Sequence, residues 1–449
     1  EPVLDLHALK PAVAGAALAV PSIPCAQAAA PPILFVHGNG DHAALWMTTL
    51  WRFESNGWPR SHLHAVSFPD PLARDDNAVP QPHRSSSAEQ TARLAGHVRD
   101  LLAETGAPRL ALVANSRGGY PIRDFVAHGG GAPQVSHAVL CGTPNRGVFD
   151  WPERRGSEFN GAGEFLRRMN GGETDVVPGT AFLTLRSDAG DLFAQPRAIW
   201  NAATPDRPTG TDTDGPALRG ATNLVLPGLD HREVAYHARA FAEIFGFIAG
   251  RAPERLAVTP EVQPMIDGLV TGVVAGQPTN RPVEGAEVQV FRTDPETGAR
   301  LAEVLPRRAT GADGRWGPLR VAADWTLEFV LAVPGSPVGH IYRGPFPRGS
   351  SVVHLRPPRP LTEQDRAAGG VILFTRPRGY FGVPRDALLL DGRTPPEVPR
   401  GVPRSALATL RLPPERLDQP IPCLFNEERI TARAWPAAEN RISVAELTG

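Results

Sequence analysis

The chain has 449 residues, of which 41% are hydrophobic and 21% are charged, and its formal net charge at pH 7 is −1. A length of this order accommodates two or three domains, each with a core of its own. The near-neutral charge excludes the basic field expected of a nucleic-acid-binding protein, and the three cysteines match neither a disulfide framework nor a zinc-site spacing.

Residues 1–30 contain a short apolar stretch that ends in Ala26-Gln27-Ala28, which has the small-x-small form of a signal-peptidase site. We therefore expect an export-signal remnant here and a secreted or periplasmic protein, with an ordinary apolar N-terminal arm as the alternative. The stretch is too short to span a membrane as a stable helix, and no later segment of the sequence is long and apolar enough to do so.

Residues 31–255 alternate short apolar runs with amphipathic ones. The candidate strands are ILFVHG, LHAVSF, LALVAN, HAVLCG, AFLTLRS and TNLVLPG, and the clearest helix is SSSAEQTARLAGHVRDLLAETG. Because strands that alternate with helices form a parallel sheet covered on both faces, we predict an α/β domain with a mostly parallel sheet. The polar, glycine-rich segment 149–179 interrupts the alternation, and we interpret it as a lid over a site, with a surface excursion as the alternative.

Residues 256–449 have a different pattern, in which helical periodicity is largely lost. Strands such as GLVTGVV, AEVQVFR, TLEFVLAV, SVVHLRP, GGVILFTR and DALLLDG are separated by turn residues. This pattern predicts a second, all-β domain, a sandwich or a barrel, joined to the first through residues 256–260. We expect its core to contain Trp316, Tyr342, Phe346 and Phe381, and we expect residues 258–449 to contribute no catalytic group.

The apolar run LALVAN leads directly into a serine flanked by small residues, in RLALVANSRGGY. If Ser116 occupies the apex of a sharp strand-to-helix turn, the residues two positions away must be small, and they are Ala114 and Gly118. Such a turn lifts Oγ of Ser116 clear of the sheet and directs the amide of Arg117 at the atom under attack. A helix N-cap is the alternative role for this serine.

Three further segments supply the groups that a nucleophilic serine needs. The strand ILFVHG ends at the same sheet edge, so the amide of Asn39 can meet the amide of Arg117 in an oxyanion hole. The loop in SDAGDLFAQP offers Asp188 and Asp191 as the acid. His231 follows the last candidate strand, at the start of an amphipathic helix, and is the candidate base.

In these motifs and in their order along the chain, the sequence resembles the serine lipases of the α/β-hydrolase superfamily. SDAGDLFAQP is similar to the acid loop of the lipase B family from yeast, in which three residues and then Gln-Pro follow the aspartate, so the resemblance implies Asp191 and not Asp188. HGNG and ANSRGG resemble the oxyanion and elbow segments of small bacterial lipases. The two-part layout resembles an archaeal lipase with a C-terminal β-barrel, although here LCGTPNRG carries no carboxylate where that lipase has its acid.

The resemblance implies a carboxylic-ester hydrolase, a lipase or esterase, that forms an acyl-enzyme on Ser116, with His231 as base and Asp191 as the acid that orients it. Two alternatives stay open: a depolymerase of an aliphatic polyester such as a polyhydroxyalkanoate, and a non-catalytic binding protein on a hydrolase scaffold. No cofactor or metal is implied, because the nearest ligand-like cluster, around His37, lacks a convincing spacing. We expect a lipid or polyester substrate and no nucleic-acid partner, and the sequence predicts no particular oligomeric state.

Overall fold

The structure is a computed structural model, and it describes residues 30–449 of the chain. The export-signal prediction, with its Ala26-Gln27-Ala28 motif, lies outside the described residues. Within the described range, no helix is both long enough and apolar enough to cross a membrane.

A six-stranded parallel sheet forms the centre of residues 31–255, which we call the N-terminal part. Its strands run in the order β2-β1-β5-β6-β7-β8, and a short parallel pair, β3-β4, lies outside it. The bounds are β1 (Ile33–Val36), β2 (Leu63–Val66), β3 (Leu72–Ala73), β4 (Arg84–Ser85), β5 (Leu110–Asn115), β6 (Val135–Cys141), β7 (Ala181–Arg186) and β8 (Thr222–Val225). Every neighbouring pair in the large sheet is parallel, which confirms the predicted α/β class.

Helices cover both faces of this sheet. They are α1 (Met47–Ser55), α2 (Ser87–Thr105), α3 (Gly119–Ala127), α4 (Glu164–Met169), α5 (Glu233–Tyr236) and α6 (Ala238–Ala249). Alternate residues of β1 enter different cores: Phe35 packs with residues of α1 and α6, whereas Leu34 packs with residues of α2 and α3. Because the sheet is buried on both faces, all six residues of β5 are inaccessible to solvent.

The helix expected after His231 is interrupted. His237 has an extended backbone (ψ 152°) and separates α5 from α6, and its side chain accepts a hydrogen bond from the amide of Arg239. His237 therefore caps α6. The amphipathic segment that the sequence predicts as one helix forms two helices, α5 and α6.

Residues 256–449, which we call the C-terminal part, are built mainly of strands, as the sequence predicted. The bounds are β9 (Met265–Ile266), β10 (Thr271–Val274), β11 (Gln277–Pro282), β12 (Glu287–Thr293), β13 (Arg300–Ala309), β14 (Leu319–Arg320), β15 (Thr326–Ala332), β16 (Val338–Arg343), β17 (Gly370–Thr375), β18 (Leu388–Leu390), β19 (Leu407–Leu412), β20 (Ile421–Phe425), β21 (Glu428–Ala432) and β22 (Arg441–Glu446), with one helix, α7 (Glu363–Ala367). The predicted strand SVVHLRP (351–357) makes only one isolated bridge, at Leu355, and Pro357 and Pro358 at its end have no N–H to donate to a ladder.

The largest sheet of the C-terminal part has seven strands, in the order β13-β12-β15-β16-β22-β17-β19. β22 is parallel to both of its neighbours, and the other pairs are antiparallel. Its edges are β13 and β19, so the sheet is open. Apolar clusters fill the space around it, and the four aromatic residues expected in the core are buried: Trp316, Tyr342, Phe346 and Phe381.

The two parts share one apolar core. Met47 and Trp51 of α1 belong to the same buried cluster as Trp316 and Phe346 of the C-terminal part. The indole Nε1 of Trp51 donates to the carbonyl of Gly349 at 3.0 Å. Removing either part would therefore expose large apolar side chains of the other to water.

Candidate active site

Ser116 lies at the tight turn between β5 and α3. Its φ is +51°, a left-handed conformation that costs a non-glycine residue free energy and that the surrounding structure must hold in place. A Cβ at Gly118 would lie 2.5 Å from the carbonyl oxygen of His37, and one at Gly119 would lie 2.2 Å from Oγ1 of Thr143. Glycine is thus required after the serine because the elbow packs directly against the ends of β1 and β6.

Ser116, His231 and Asp191 form a continuous hydrogen-bonded chain. Nε2 of His231 lies 2.8 Å from Oγ of Ser116, and Nδ1 lies 2.7 Å from Oδ1 of Asp191. An ionised carboxylate only accepts, so Nδ1 carries the hydrogen and Nε2 is free to accept the proton of the serine hydroxyl. The three residues come from the loops after β5, β8 and β7, at the carboxyl edge of the sheet.

Of the two candidate acids, the structure places Asp191 at the histidine and Asp188 elsewhere. Oδ1 of Asp188 accepts hydrogen bonds from the amide of Gly228 (3.0 Å) and from Oγ of Ser187 (3.2 Å). The Gly228 amide holds the pKa of Asp188 below its ordinary value. Asp188 therefore ties the acid loop to the loop that follows β8.

The spacing from Asp191 to Gln195 has a structural explanation. Nε2 of Gln195 donates to the carbonyls of Ala189 (2.9 Å) and Asp191 (2.7 Å), and the amide of Phe193 donates to Oδ1 of Asp191 (2.8 Å). The ring of Phe193 meets the ring of His231 edge-on, with centroids 4.7 Å apart. These contacts fix both the carboxylate and the imidazole that it orients.

The loop after β1 brings Asn39 to the same cavities as Ser116. His37 holds this loop: its Nε2 accepts from the amide of Phe68 (3.0 Å) and its Nδ1 bonds the carbonyl of Gly38 (2.8 Å). Burial lowers the pKa of His37, which keeps the ring neutral. The amide of Asn39 donates no hydrogen bond to any described residue, and the amide of Arg117 is the first one after the serine. Both amides therefore stay candidates for the oxyanion hole.

The side chain of Arg117 is buried and ion-paired, which sequence reasoning missed. It bonds Glu158, with Nη2 and Oε2 3.0 Å apart, and it also donates to the carbonyl of Ser85 at 2.7 Å. Glu158 belongs to the segment 149–179 that we interpreted as a lid. This segment is therefore anchored to the nucleophile turn by a buried ion pair.

A pocket of about 240 Å³ opens beside Ser116. The residues of segment 149–179 supply part of its wall, and the acid loop and its continuation supply another part. Its apolar lining is mostly aromatic and consists of Ala73, Val148, Phe149, Phe159, Phe193 and Trp200, whereas Arg74, Asp75, Arg84 and Arg154 supply charged groups. We call this cavity the aromatic pocket.

The loop that carries His231 is held by the C-terminal part. Arg376 donates from Nη1 to Oδ2 of Asp230 (2.8 Å) and from Nη2 to Oε1 of Glu233 (2.7 Å). Arg385 donates from Nη1 to Oε2 of Glu233 (2.6 Å). We call these four residues the histidine clamp. No local sequence pattern indicates it, because Arg376 follows Asp230 by 146 residues.

The clamp divides the charge of its two carboxyl groups unequally. Burial opposes ionisation of Asp230, but Arg376 and Arg385 outweigh it and hold the pKa of this group below the ordinary value. Burial and the neighbouring charge of Asp230 raise the pKa of Glu233. Asp230 therefore keeps its charge, and with it the ion pairs to the arginines, to a lower pH than Glu233 does.

Within residues 30–449, no group of three or more histidine, cysteine, aspartate or glutamate side chains is arranged to hold a metal ion. Among the described residues, no side chain from 258–449 hydrogen-bonds Ser116 or His231. The C-terminal part reaches the site through the clamp and through Tyr380, which lines a cavity shared with both residues.

Residues 266–360 match the lipase C-terminal domain family. Among solved structures, a lipase from Bacillus licheniformis in its mature form is 20% identical, and the match covers 49% of this chain and 93% of that chain, with a TM-score of 0.35. The propeptide form of that lipase is 14% identical over 68% of this chain and 90% of that chain, with a TM-score of 0.37. Lipase B from Aspergillus fumigatus is 15% identical over 52% of this chain and 56% of that chain, with a TM-score of 0.35.

Proposed function

We propose that this chain, an α/β-hydrolase by its fold, is a serine hydrolase that cleaves carboxylic esters through an acyl-enzyme on Ser116. The observation that carries the proposal is the hydrogen-bonded chain from Ser116 through His231 to Asp191, which lies beside the aromatic pocket. The match of residues 266–360 to lipase C-terminal domains supports an ester as the substrate.

In the first half of the reaction, Oγ of Ser116 attacks the ester carbonyl carbon while its proton moves to Nε2 of His231. Asp191 stays ionised and stabilises the imidazolium through Nδ1. The amides of Asn39 and Arg117 donate to the oxyanion of the tetrahedral intermediate. As this intermediate collapses, His231 returns the proton to the departing alcohol oxygen, and the acyl group remains on the serine.

In the second half, a water molecule gives a proton to His231 and attacks the acyl carbonyl carbon. The bond from carbon to Oγ breaks, the carboxylic acid leaves, and the proton returns to Ser116. Both halves therefore need a hydroxyl-bearing molecule within reach of Nε2 of His231 and a separate place for the acyl group.

The aromatic pocket is the place that suits the acyl group, because its lining next to Ser116 is apolar. Ligand pockets for drug-sized molecules are roughly 300–1,000 Å³. A cavity of about 240 Å³ favours acyl groups of short or moderate length. The site chemistry is the same for a lipase, an esterase and a polyester depolymerase. Rates on soluble, emulsified and polymeric esters, from acetate to palmitate, will distinguish these three.

The proposal is tested by removing the nucleophile. Ser116→Ala should lower turnover of a soluble p-nitrophenyl ester by about a million-fold, because only the oxyanion donors and substrate binding remain. A fluorophosphonate should label Ser116 in the wild type, read by peptide mass spectrometry, and should not label the variant. Ser351→Ala, at an exposed serine remote from the elbow, is the control. Retention of more than a few per cent of activity by Ser116→Ala would contradict the mechanism.

A further inference from the structure

The charged groups that line the aromatic pocket are mostly positive. Arg74, Arg84 and Arg154 lie there with a single carboxylate, that of Asp75. Arg74 is neutralised by Glu89, with Nη2 and Oε1 2.9 Å apart. Two arginines therefore stand against one aspartate in the cavity beside the nucleophile. The cleavage of an uncharged ester makes no use of this positive charge.

Arg84 has a guanidinium nitrogen that a ligand can reach. Its Nη1 donates to the carbonyl of Ala73 at 2.7 Å, and the side chain forms no ion pair with a carboxylate of residues 30–449. Its Nη2 makes no hydrogen bond with a described residue and, unlike Nε of the same side chain, is accessible to solvent. An accessible N–H group on a permanently charged guanidinium is a binding group for an anion.

Hydrogen bonds fix the position of Arg84 relative to the reacting atoms. Ala73, whose carbonyl holds the guanidinium, donates from its amide to Oδ1 of Asn39 at 2.8 Å. The next residue in the chain, Ser85, accepts at its carbonyl from Nη2 of Arg117 at 2.7 Å. Arg84 is therefore connected both to the oxyanion loop and to the nucleophile turn, so its distance from a bound acyl carbonyl is set by the fold.

Arg154 supplies the second unneutralised charge, from segment 149–179. Its guanidinium carbon lies 5.5 Å from the centre of the Phe149 ring, which belongs to the apolar wall of the pocket. The carboxylate of the adjacent Glu153 is paired with Arg207. Arg154 is exposed and forms no ion pair with another residue of the described chain, so its charge adds to that of Arg84.

We propose that the aromatic pocket binds acyl groups that end in a carboxylate, with Nη2 of Arg84 as the donor to that carboxylate. The substrates would be monoesters of short dicarboxylic acids, such as glutaric acid. This inference rests on the function proposed above and adds the chemistry of the acyl side. The aromatic rings contact the methylene chain, and the far carboxylate meets the arginines. Because the apolar wall lowers the local dielectric constant, this charge-assisted hydrogen bond is stronger than in water.

The size of the pocket agrees with a short acid. A volume of about 240 Å³ corresponds to roughly eight water molecules at ~30 Å³ each, and a glutaryl group has about the same number of non-hydrogen atoms. The reaction at Ser116 is unchanged, and the acid that leaves the acyl-enzyme is a dicarboxylate.

The test compares two esters of the same shape and different charge. Monoethyl glutarate ends in a carboxylate, whereas ethyl 5-oxohexanoate has a methyl group in place of one carboxylate oxygen and is neutral. The full chain is given each ester at neutral pH, and kcat/KM is obtained from the ethanol released, measured by gas chromatography. We expect the wild type to favour the anionic ester about tenfold, since a hydrogen bond to a charged group contributes more than one to a ketone.

Substitutions of the charged residues should move this preference in opposite directions. Arg84→Gln should lower it about tenfold and Arg154→Gln by less, whereas Asp75→Asn should raise it because a repelling charge is lost. Arg74→Gln is the matched control, since this arginine of the same pocket already has a carboxylate partner, and it should lower the preference less than Arg84→Gln does. Arg84→Lys should retain part of the preference.

The readout is a ratio of two rates from one preparation, so a variant that folds less well loses both rates together. Arg154→Gln and Asp75→Asn, at exposed positions, test the charge effect without a change in the interior. A wild type without a preference for the anionic ester would overturn the inference, as would a preference that neither arginine variant lowers. Failure to cleave these two esters and p-nitrophenyl butyrate would instead overturn the proposed function.

Discussion

At the residue scale, the tautomer of His231 decides whether its Nε2 can accept a hydrogen bond from Oγ of Ser116. Asp191 sets this tautomer because a carboxylate accepts from Nδ1 and leaves Nε2 as the acceptor. The pair of acids in SDAGDLFAQP therefore provides a direct comparison between a group that orients the histidine and a group that orients a loop. The two carboxylates lie three positions apart in the chain and have different partners.

Asp191→Asn should lower turnover about 10⁴-fold with little change in folding, because an amide donor at Nδ1 favours the wrong tautomer. Asp188→Asn is the matched control and should reduce turnover by less than tenfold, since it loses only its loop contacts. Turnover on p-nitrophenyl butyrate and far-ultraviolet circular dichroism are the measurements. Equal losses in the two variants would show that the structure assigns the acid wrongly.

Sequence reasoning could predict this arrangement because Ser116, Asp191 and His231 are adjacent to short local patterns. The turn at Ser116 needs small neighbours, the strand before it needs apolar residues, and both requirements are visible in ANSRGG. The choice between Asp188 and Asp191 needed the Gln195-Pro196 spacing, whose physical basis is the hydrogen bond from Gln195 to the carbonyl of Asp191. The burial of Asp41 could not be predicted from a local pattern, because it results from the packing of the loop after β1.

At the scale of elements, the site depends on loops that charged contacts hold from a distance. The histidine clamp fixes the loop between β8 and α5, and the ion pair of Arg117 with Glu158 fixes segment 149–179 against the nucleophile turn. Each contact joins segments that are far apart in sequence. A charged residue is ordinarily expected to be solvent-exposed, so no local pattern indicates that Arg117 or Arg376 lies in the interior.

Arg376→Gln should lower turnover at least tenfold with KM little changed, because the loop of His231 loses its anchor while the aromatic pocket is untouched. It should also cost about 3–5 kcal/mol of stability, since two buried carboxyl groups lose a charged partner. Arg376→Lys should restore part of the turnover. Arg416→Gln, which removes a partly exposed pair with Asp391, is the control for charge loss. A fall in melting temperature without a fall in turnover would contradict a positioning role.

At the scale of the whole molecule, the loss of hydration on folding lowers the pKa of many histidines. Burial is the largest cause that lowers the pKa of each member of a group of eight: His37, His42, His64, His97, His137, His237, His340 and His354. For His354, which packs edge-on against His42 where the two parts meet, burial and the charge of Arg356 lower the pKa to about 4. Between that pKa and the unfolded value near 6.5, the unfolded chain binds more protons than the folded chain.

Stability should therefore fall as the pH is lowered from about 6.5 towards 4, because protons bind the unfolded state preferentially. His354 alone contributes roughly 3 kcal/mol to this loss. Melting temperatures measured between pH 7.5 and 4.5 will test the slope. His354→Asn, which can keep an acceptor for the amide of Leu269, should flatten it, whereas His128→Asn at an exposed position should not. A stability that is constant over this range would refute the expectation.

The layout of the whole molecule was only partly predictable. The change from alternating to strand-only patterns indicated the two parts, because it reflects a local periodicity. The core that the two parts share could not be predicted in this way. In the sequence, Met47 and Trp51 look like ordinary core residues of a single amphipathic helix. That residues 258–449 add no catalytic group stays a prediction, and these residues supply Tyr380 and the two arginines of the clamp.

The order of strands in the C-terminal sheet has a consequence for the timing of activity during synthesis. β22 follows every other strand of that sheet along the chain, yet it lies in the middle, between β16 and β17. Arg376 directly follows β17, so the arginine that anchors the histidine loop takes its place only after β22 has left the ribosome. A growing chain that already contains Ser116, Asp191 and His231 is thus expected to hold its histidine loop without this anchor until β22 has paired with β16 and β17.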